Sequence, residues 1–201
     1  MFQRRVAIIG GLGATGRPVF ERLQARCVRA VPVSRTTRPA FDWRDRASWP
    51  AALHGATAAY VTYPPGLGAP TAADDIGTLA GVAAEMGIEH LVLLSLRGKR
   101  RALRAERRLR AGPLDHTILR ADVLRPGQAA TALYDAIADL AVAALCDPAH
   151  LNRTYEIERG GEIVPVRNPP GSAGTGLGID RGRGTPPRHA ARVDPEPSHT
   201  S

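Results

Sequence analysis

The chain has 201 residues, a formal net charge of +8, 43% hydrophobic and 4% aromatic residues. That length admits one ordinary domain, or a domain with a tail, and enough apolar residues for a core. No apolar run approaches a membrane span, no leader-like pattern opens the chain, and Cys27 and Cys146 are too few and too far apart for a disulfide framework. Both cysteines are expected as small core residues in a reducing compartment, and the chain is expected in the cytoplasm.

The positive charge is local. Residues 97–110 hold eight basic groups against the single acid Glu106, and residues 167–201 hold five arginines against three acids, leaving the rest slightly acidic. Val6–Ile9 is a short β-branched run, predicted as a strand buried on both faces. It leads through Gly10, Gly13 and Gly16 into Arg17–Arg26, predicted as an amphipathic helix. Val28–Val33 reads as a second strand, running into Ser34-Arg35-Thr36-Thr37-Arg38, and Phe41-Asp42-Trp43 as a short third extended piece. Ala47–Leu53 is a helical turn or two. Ala56–Thr62 is a fourth strand, closed by Tyr63-Pro64-Pro65-Gly66. Pro70–Met86 is a long helix with Asp74 and Asp75 in its early turns, where the helix dipole favours acids.

His90–Leu94 is an apolar strand ending at Ser95, and Lys99–Arg110 a basic helix. On that helix Arg100, Arg104, Arg107 and Arg108 share one side, and Leu103, Ala105 and Leu109 supply the apolar side. Nucleic-acid binding by this helix would want neighbouring aromatics or a recognised motif, and neither is present. Asp115–Leu119 is a sixth strand ending at Arg120, Ala129–Leu145 a helix, and Thr154–Glu158 with Glu162–Val166 two short strands. Residues 167–201 hold six prolines, six glycines and almost no large apolar residue, so they are expected as a disordered tail beyond a domain of residues 1–166. Strands alternating with helices imply parallel βαβ units with right-handed crossovers. The expected fold class is α/β: a doubly wound, Rossmann-like parallel sheet with helices on both faces, in strand order 3-2-1-4-5-6.

The strand–glycine–helix order gives each glycine a role towards a dinucleotide. Gly10 permits the tight turn, Gly13 lets the backbone approach a pyrophosphate, and Gly16 lets the helix pack close to the sheet. The helix N-terminus offers free N–H groups and a positive dipole end to the phosphates. NAD binding commonly uses an acid after the second strand, but no acid stands between Glu21 and Asp42. Ser34, Arg35 and Arg38 stand there instead, and a guanidinium suits a 2′-phosphate, which favours NADP(H) over NAD(H). A Tyr-x-x-x-Lys catalytic pair is excluded, since Lys99 is the only lysine and none of Tyr60, Tyr63, Tyr134 and Tyr155 lies four before it. Tyr63 and Ser95, at strand ends facing the nicotinamide side, are the available polar candidates, each also readable as a capping or packing residue.

Gly10–Val19, Phe41-Asp42-Trp43-Arg44-Asp45, Tyr60–Gly66, Leu91–Gly98 and Thr117-Ile-Leu-Arg120 resemble the NmrA-like atypical short-chain dehydrogenase/reductase family, and the second and fourth pieces are similar to its ergot-alkaloid-type branch. The resemblance resumes at Ile137–Glu158. It implies a Rossmann fold, NADP(H), and either reduction of a small-molecule substrate or redox sensing without turnover. Carried over by position, Gly10, Leu12, Gly13, Ala14, Thr15 and Gly16 would hold the pyrophosphate and Arg35 the 2′-phosphate. Asp42 would lie near the adenine, with Tyr63, Pro64, Pro65 and Ser95 lining the cofactor groove and Trp43 among the cofactor-binding residues. Only sixteen residues separate Arg120 from Ile137, where the family carries a longer, aromatic-rich substrate region. A reduced or decayed relative is the alternative this departure raises.

Overall fold

A computed structural model describes residues 5–64, 66–122 and 131–166. Its strands are β1 (Arg5–Ile9), β2 (Arg29–Val33), β3 (Ala58–Val61), β4 (His90–Leu96), β5 (Asp115–Ala121), β6 (Arg153–Ile157) and β7 (Ile163–Val166). They form one sheet in the order β2-β1-β3-β4-β5-β6-β7, parallel throughout except for the antiparallel β6–β7 pair. The helices are α1 (Gly16–Ala25), α2 (Trp49–Leu53), α3 (Ala72–Glu85), α4 (Arg100–Arg110) and α5 (Thr131–Cys146).

Successive strand residues point to opposite faces, so the apolar central strands feed two cores. Ala7, Ile9, Val61, Leu91, Leu93 and Ile118 pack under α2, α3 and α4. Val6, Ile8, Tyr60, Val92 and Leu119 pack under α1 and α5. The result is a doubly wound parallel sheet with helices on both faces, as the alternation of strands and helices implies. α1 and α5 are also joined by Arg22, which donates to Asp135 at 2.6 Å and lies 3.1 Å from Asp139.

Three details differ from the sequence reading. The Phe41–Trp43 piece is no sheet strand, so the order begins at β2; a single bridge between Asp42 and Asp45 closes a turn instead. Its backbone is engaged locally: the Asp42 N–H donates to Ser48 Oγ at 3.0 Å, and the Asp42 carbonyl accepts from Trp49 Nε1 at 2.7 Å. With Pro32 in it, β2 is suited to the edge position it takes. Cys27 and Cys146 are exposed, because each follows the end of a helix or closes it and its side chain turns outward. On α4, Leu103 is 37% exposed and the inner face is Ala102, Ala105, Glu106 and Leu109. Pro65 and the expected tail at residues 167–201 lie outside the described residues.

Candidate functional site

The chain leaves β1 at Gly10 with φ +81°, and the Gly10 N–H donates to the Val33 carbonyl at 3.1 Å. A Cβ there would collide with Thr62 Oγ1, itself a donor to the Ile9 carbonyl at 3.0 Å. At Gly16 a Cβ would collide with the Gly10 carbonyl, so this glycine brings α1 against the loop. Gly13 differs: an added Cβ would meet only the Gly10 carbonyl oxygen, at 3.2 Å. Gly10 and Gly16 therefore leave a side chain no room, whereas Gly13 is crowded by one backbone oxygen alone. Leu12, Gly13 and Ala14 are exposed and Thr15 is partly so, at the positive end of the α1 dipole.

This loop lies beyond the carboxyl ends of the strands, where the order reverses beside β1, and it opens on a two-lobed cleft. The larger lobe, of about 870 Å³, is lined by Ser34, Arg35, Asp42, Trp43, Arg44 and Arg46, with Tyr63, Thr71 and Asp75 behind. The smaller, of about 420 Å³, is lined by Leu12, Gly13, Ala14 and Thr15, with Thr62, Leu67, Leu94 and Leu96 opposite. Gly10, Ser34, Tyr63 and Pro64 line both, so the lobes are continuous.

The Ser34–Arg38 turn is held by Thr37, whose hydroxyl accepts the Ser34 N–H at 2.9 Å. Arg35 projects into the larger lobe, whereas Arg38 does not line it and donates to the Thr37 carbonyl at 3.2 Å. The Asp42 carboxylate accepts the Arg44 N–H at 2.9 Å, which presents Arg44 to the cleft. Trp43 packs edge-on against Phe41 (5.1 Å) and Tyr63 (4.8 Å), giving the lobe an apolar wall.

Behind that wall the Tyr63 hydroxyl donates to Asp75 Oδ2 at 2.7 Å and lies 3.0 Å from Thr71 Oγ1, while Arg46 donates to Asp75 Oδ1 at 2.8 Å. Burial pushes the Tyr63 phenol up, and the neighbouring Asp75 adds to the rise. For Asp75, burial works to raise the carboxyl, but the Arg46, Tyr63 and Thr71 hydrogen bonds outweigh it and hold it below the usual range. Tyr63 thus remains protonated and serves as a brace at neutral pH. Tyr60 lies fully buried beneath the loop, and burial raises its phenol far above the ordinary value, with Thr15 opposing.

Ser95 is not in the cleft. Neighbouring strand residues face opposite ways, so Leu94 and Leu96 line the small lobe, and Ser95 turns towards α4 and donates to Glu106 Oε1 at 2.7 Å. Glu106 is fully buried and also accepts from Arg120 (2.7 Å to Oε2) and Arg110 (3.2 Å). Those Glu106 hydrogen bonds raise the Arg120 guanidinium, whereas burial lowers that of Arg110. Arg120 and Arg97 reach on to Glu156 at 3.4 and 3.3 Å, tying the ends of β4, β5 and β6 together. Sequence reasoning missed Arg44, Arg46, Thr71 and Asp75 in the cleft. The alternation of Arg44 and Arg46 after Asp42 was the available signal; Asp75 carried none beyond its place in a first helical turn.

The chain matches no protein-family model and no curated protein by sequence. Solved structures match it by fold. A triphenylmethane reductase from Citrobacter sp., complexed with NADP(H), is 16% identical with a TM-score of 0.63, over 75% of this chain and 68% of that one. A nucleoside-diphosphate-sugar epimerase from Staphylococcus aureus is 12% identical with a TM-score of 0.63, over 76% and 70%. An anaerobillin reductase from Escherichia coli O157:H7 is 18% identical with a TM-score of 0.63, over 83% and 99%. At these identities the likeness is one of Rossmann-type fold.

Proposed function

We propose that the chain is an NADP(H)-binding oxidoreductase of the NmrA-like atypical short-chain type that reduces a small organic substrate. The observation that carries this reading is the placing of Arg35, Arg44 and Arg46 around the lobe next to the glycine loop. A dinucleotide fits the residues present. Its pyrophosphate belongs over Gly13 and the α1 N-terminus, its adenosine against Trp43 and Asp42, and a 2′-phosphate beside Ser34 and Arg35. Two of the structures alike in fold are reductases, one of them complexed with NADP(H), and the anaerobillin reductase is spanned almost completely by the shared fold. The shortened region after Arg120 is therefore compatible with a reductase.

When bound, NADPH supplies a hydride. The chain's own contribution on that side is apolar: Leu67, Leu94 and Leu96 give the small lobe an apolar wall, and Thr62 supports the loop. Apart from Tyr63, which Asp75 engages, no titratable side chain among the described residues lines that lobe. This observation favours a second reading, in which the protein senses NADP(H) without turnover.

NADPH is expected to raise the melting temperature more than NADH, and Arg35→Ala to weaken NADPH binding about tenfold while sparing NADH, because one charge-assisted contact is lost. Equal shifts for the two cofactors in the parent protein would sink the NADP(H) assignment. Consumption of NADPH with aromatic or imine acceptors separates the enzyme from the sensor.

A further inference from the structure

α4 turns Ala102, Ala105, Glu106 and Leu109 to the sheet, which leaves Arg101, Arg104, Arg107 and Arg108 exposed on its outer side. Opposite them stand Ala69, Pro70, Ala73 and Asp74, at the start of α3. The two sides enclose a groove of about 500 Å³, separate from the cleft at the strand ends. Small residues on the α3 side admit the arginine stems; at Gly77 a Cβ would lie 3.5 Å from Arg108 Cβ. Arg101 donates to the Gly68 carbonyl at 3.0 Å, which anchors one guanidinium at the groove's end. The remaining charge is poorly compensated. Four guanidinium groups face one carboxylate, and the Arg108–Asp74 pair spans 3.6 Å with side chains 64% and 73% exposed, so water screens it.

We propose that this groove binds a linear oligophosphate. Arg101, Arg104 and Arg108 follow one another at helical spacing, which sets their Cα atoms about 4.5 and 6 Å apart along the axis. That spacing offers successive forked donors to successive phosphates of one chain. The volume lies in the range of small-ligand sites, roughly 300–1,000 Å³. Among the described residues the lining holds no aromatic ring for a nucleobase to stack on, so recognition falls to the phosphates. The site is independent of the NADP(H) reading, since none of its lining residues lines the cleft.

The test is calorimetric titration of the full chain with sodium tripolyphosphate. One-to-one binding is expected, weakened at least about tenfold by the double change R104E and R107E and weakened by added salt. Both positions are exposed, so an unchanged melting temperature verifies that the variant is folded. R35A should bind tripolyphosphate like the parent, and ATP should bind no more tightly than tripolyphosphate. Binding weaker than roughly 1 mM, or unaffected by R104E and R107E, overturns the proposal. Loss of binding in R35A would move the anion to the dinucleotide cleft and overturn it as well. So would a single-stranded oligonucleotide that binds more tightly than tripolyphosphate through the same arginines, since the surface would then be one for nucleic acid.

Discussion

At Gly10 the positive φ and the contact with Thr62 leave no room for a side chain, whereas at Gly13 a Cβ would meet a single atom, the Gly10 carbonyl oxygen, at a tight 3.2 Å. Two glycines of one motif thus stand under different steric constraints. A second residue-scale effect concerns His116 on β5, which is fully buried. Burial lowers its imidazole first, and the Arg110 charge lowers it further, with the Leu114 backbone and Asp115 only partly opposing. The folded state therefore holds this histidine neutral, and the unfolded chain binds its proton more readily. Stability should fall as the pH drops through the unfolded value of about 6.5 towards the lower folded one. Urea unfolding from pH 7.5 down to 5 should show this slope in the parent protein, and His116→Phe should flatten it. An identical slope in the variant would assign the acid sensitivity to other groups.

Among the elements, α4 shows how an arginine-rich helix is held against a sheet. Its apolar contacts are few, Ala102, Ala105 and Leu109, and between them Glu106 collects Ser95, Arg110 and Arg120. Glu106 is completely enclosed, and the side chains of Arg110 and Arg120 are 13% and 15% exposed. Removing one member of such a cluster leaves the others desolvated without a partner. Glu106→Ala is expected to destabilise the fold by about 3–5 kcal/mol, far more than an exposed ion pair would. Chemical denaturation measures it, and a loss below about 1 kcal/mol would show that water reaches Arg120 freely. The Phe41–Trp43 piece illustrates the opposite case, an extended segment that stays off the sheet because Ser48 and Trp49 already engage its backbone.

For the molecule as a whole, the described residues form two cores over a seven-stranded sheet, and residues 167–201 are judged on composition. That segment offers only Leu177, Ile179 and Val193 as sizeable apolar groups. Burying each would contribute about 1.5–3 kcal/mol, against roughly 1–2 kcal/mol of backbone entropy for every residue ordered. Deleting residues 167–201 is therefore expected to leave both the melting temperature and NADPH affinity unchanged. A tenfold loss of affinity on calorimetry would reveal a lid over the cleft.

The strand–glycine–helix order at residues 6–26, the alternation of strands with helices and the arginine at position 35 were all legible from the chain alone. Each depends on local rules: torsional freedom, periodicity, and the charge that follows a strand. The edge of the sheet, the outward turn of Leu103 and the inward turn of Ser95, Asp75 and Glu106 were not, because nothing in a residue's near neighbours says which partner will meet its polar atoms. Helical spacing sets Glu106 beside the inner stripe, but the approach of Ser95 from β4 and Arg120 from β5, with Arg110 on the same helix, is what supplies a buried carboxylate with partners there. Likewise Arg46 joins the cleft because Asp75, distant in the sequence, pairs with its guanidinium, whereas Arg44 is set locally by the Asp42 carboxylate on its backbone N–H. Long-range pairing of charge with charge is the property that only the tertiary structure decided.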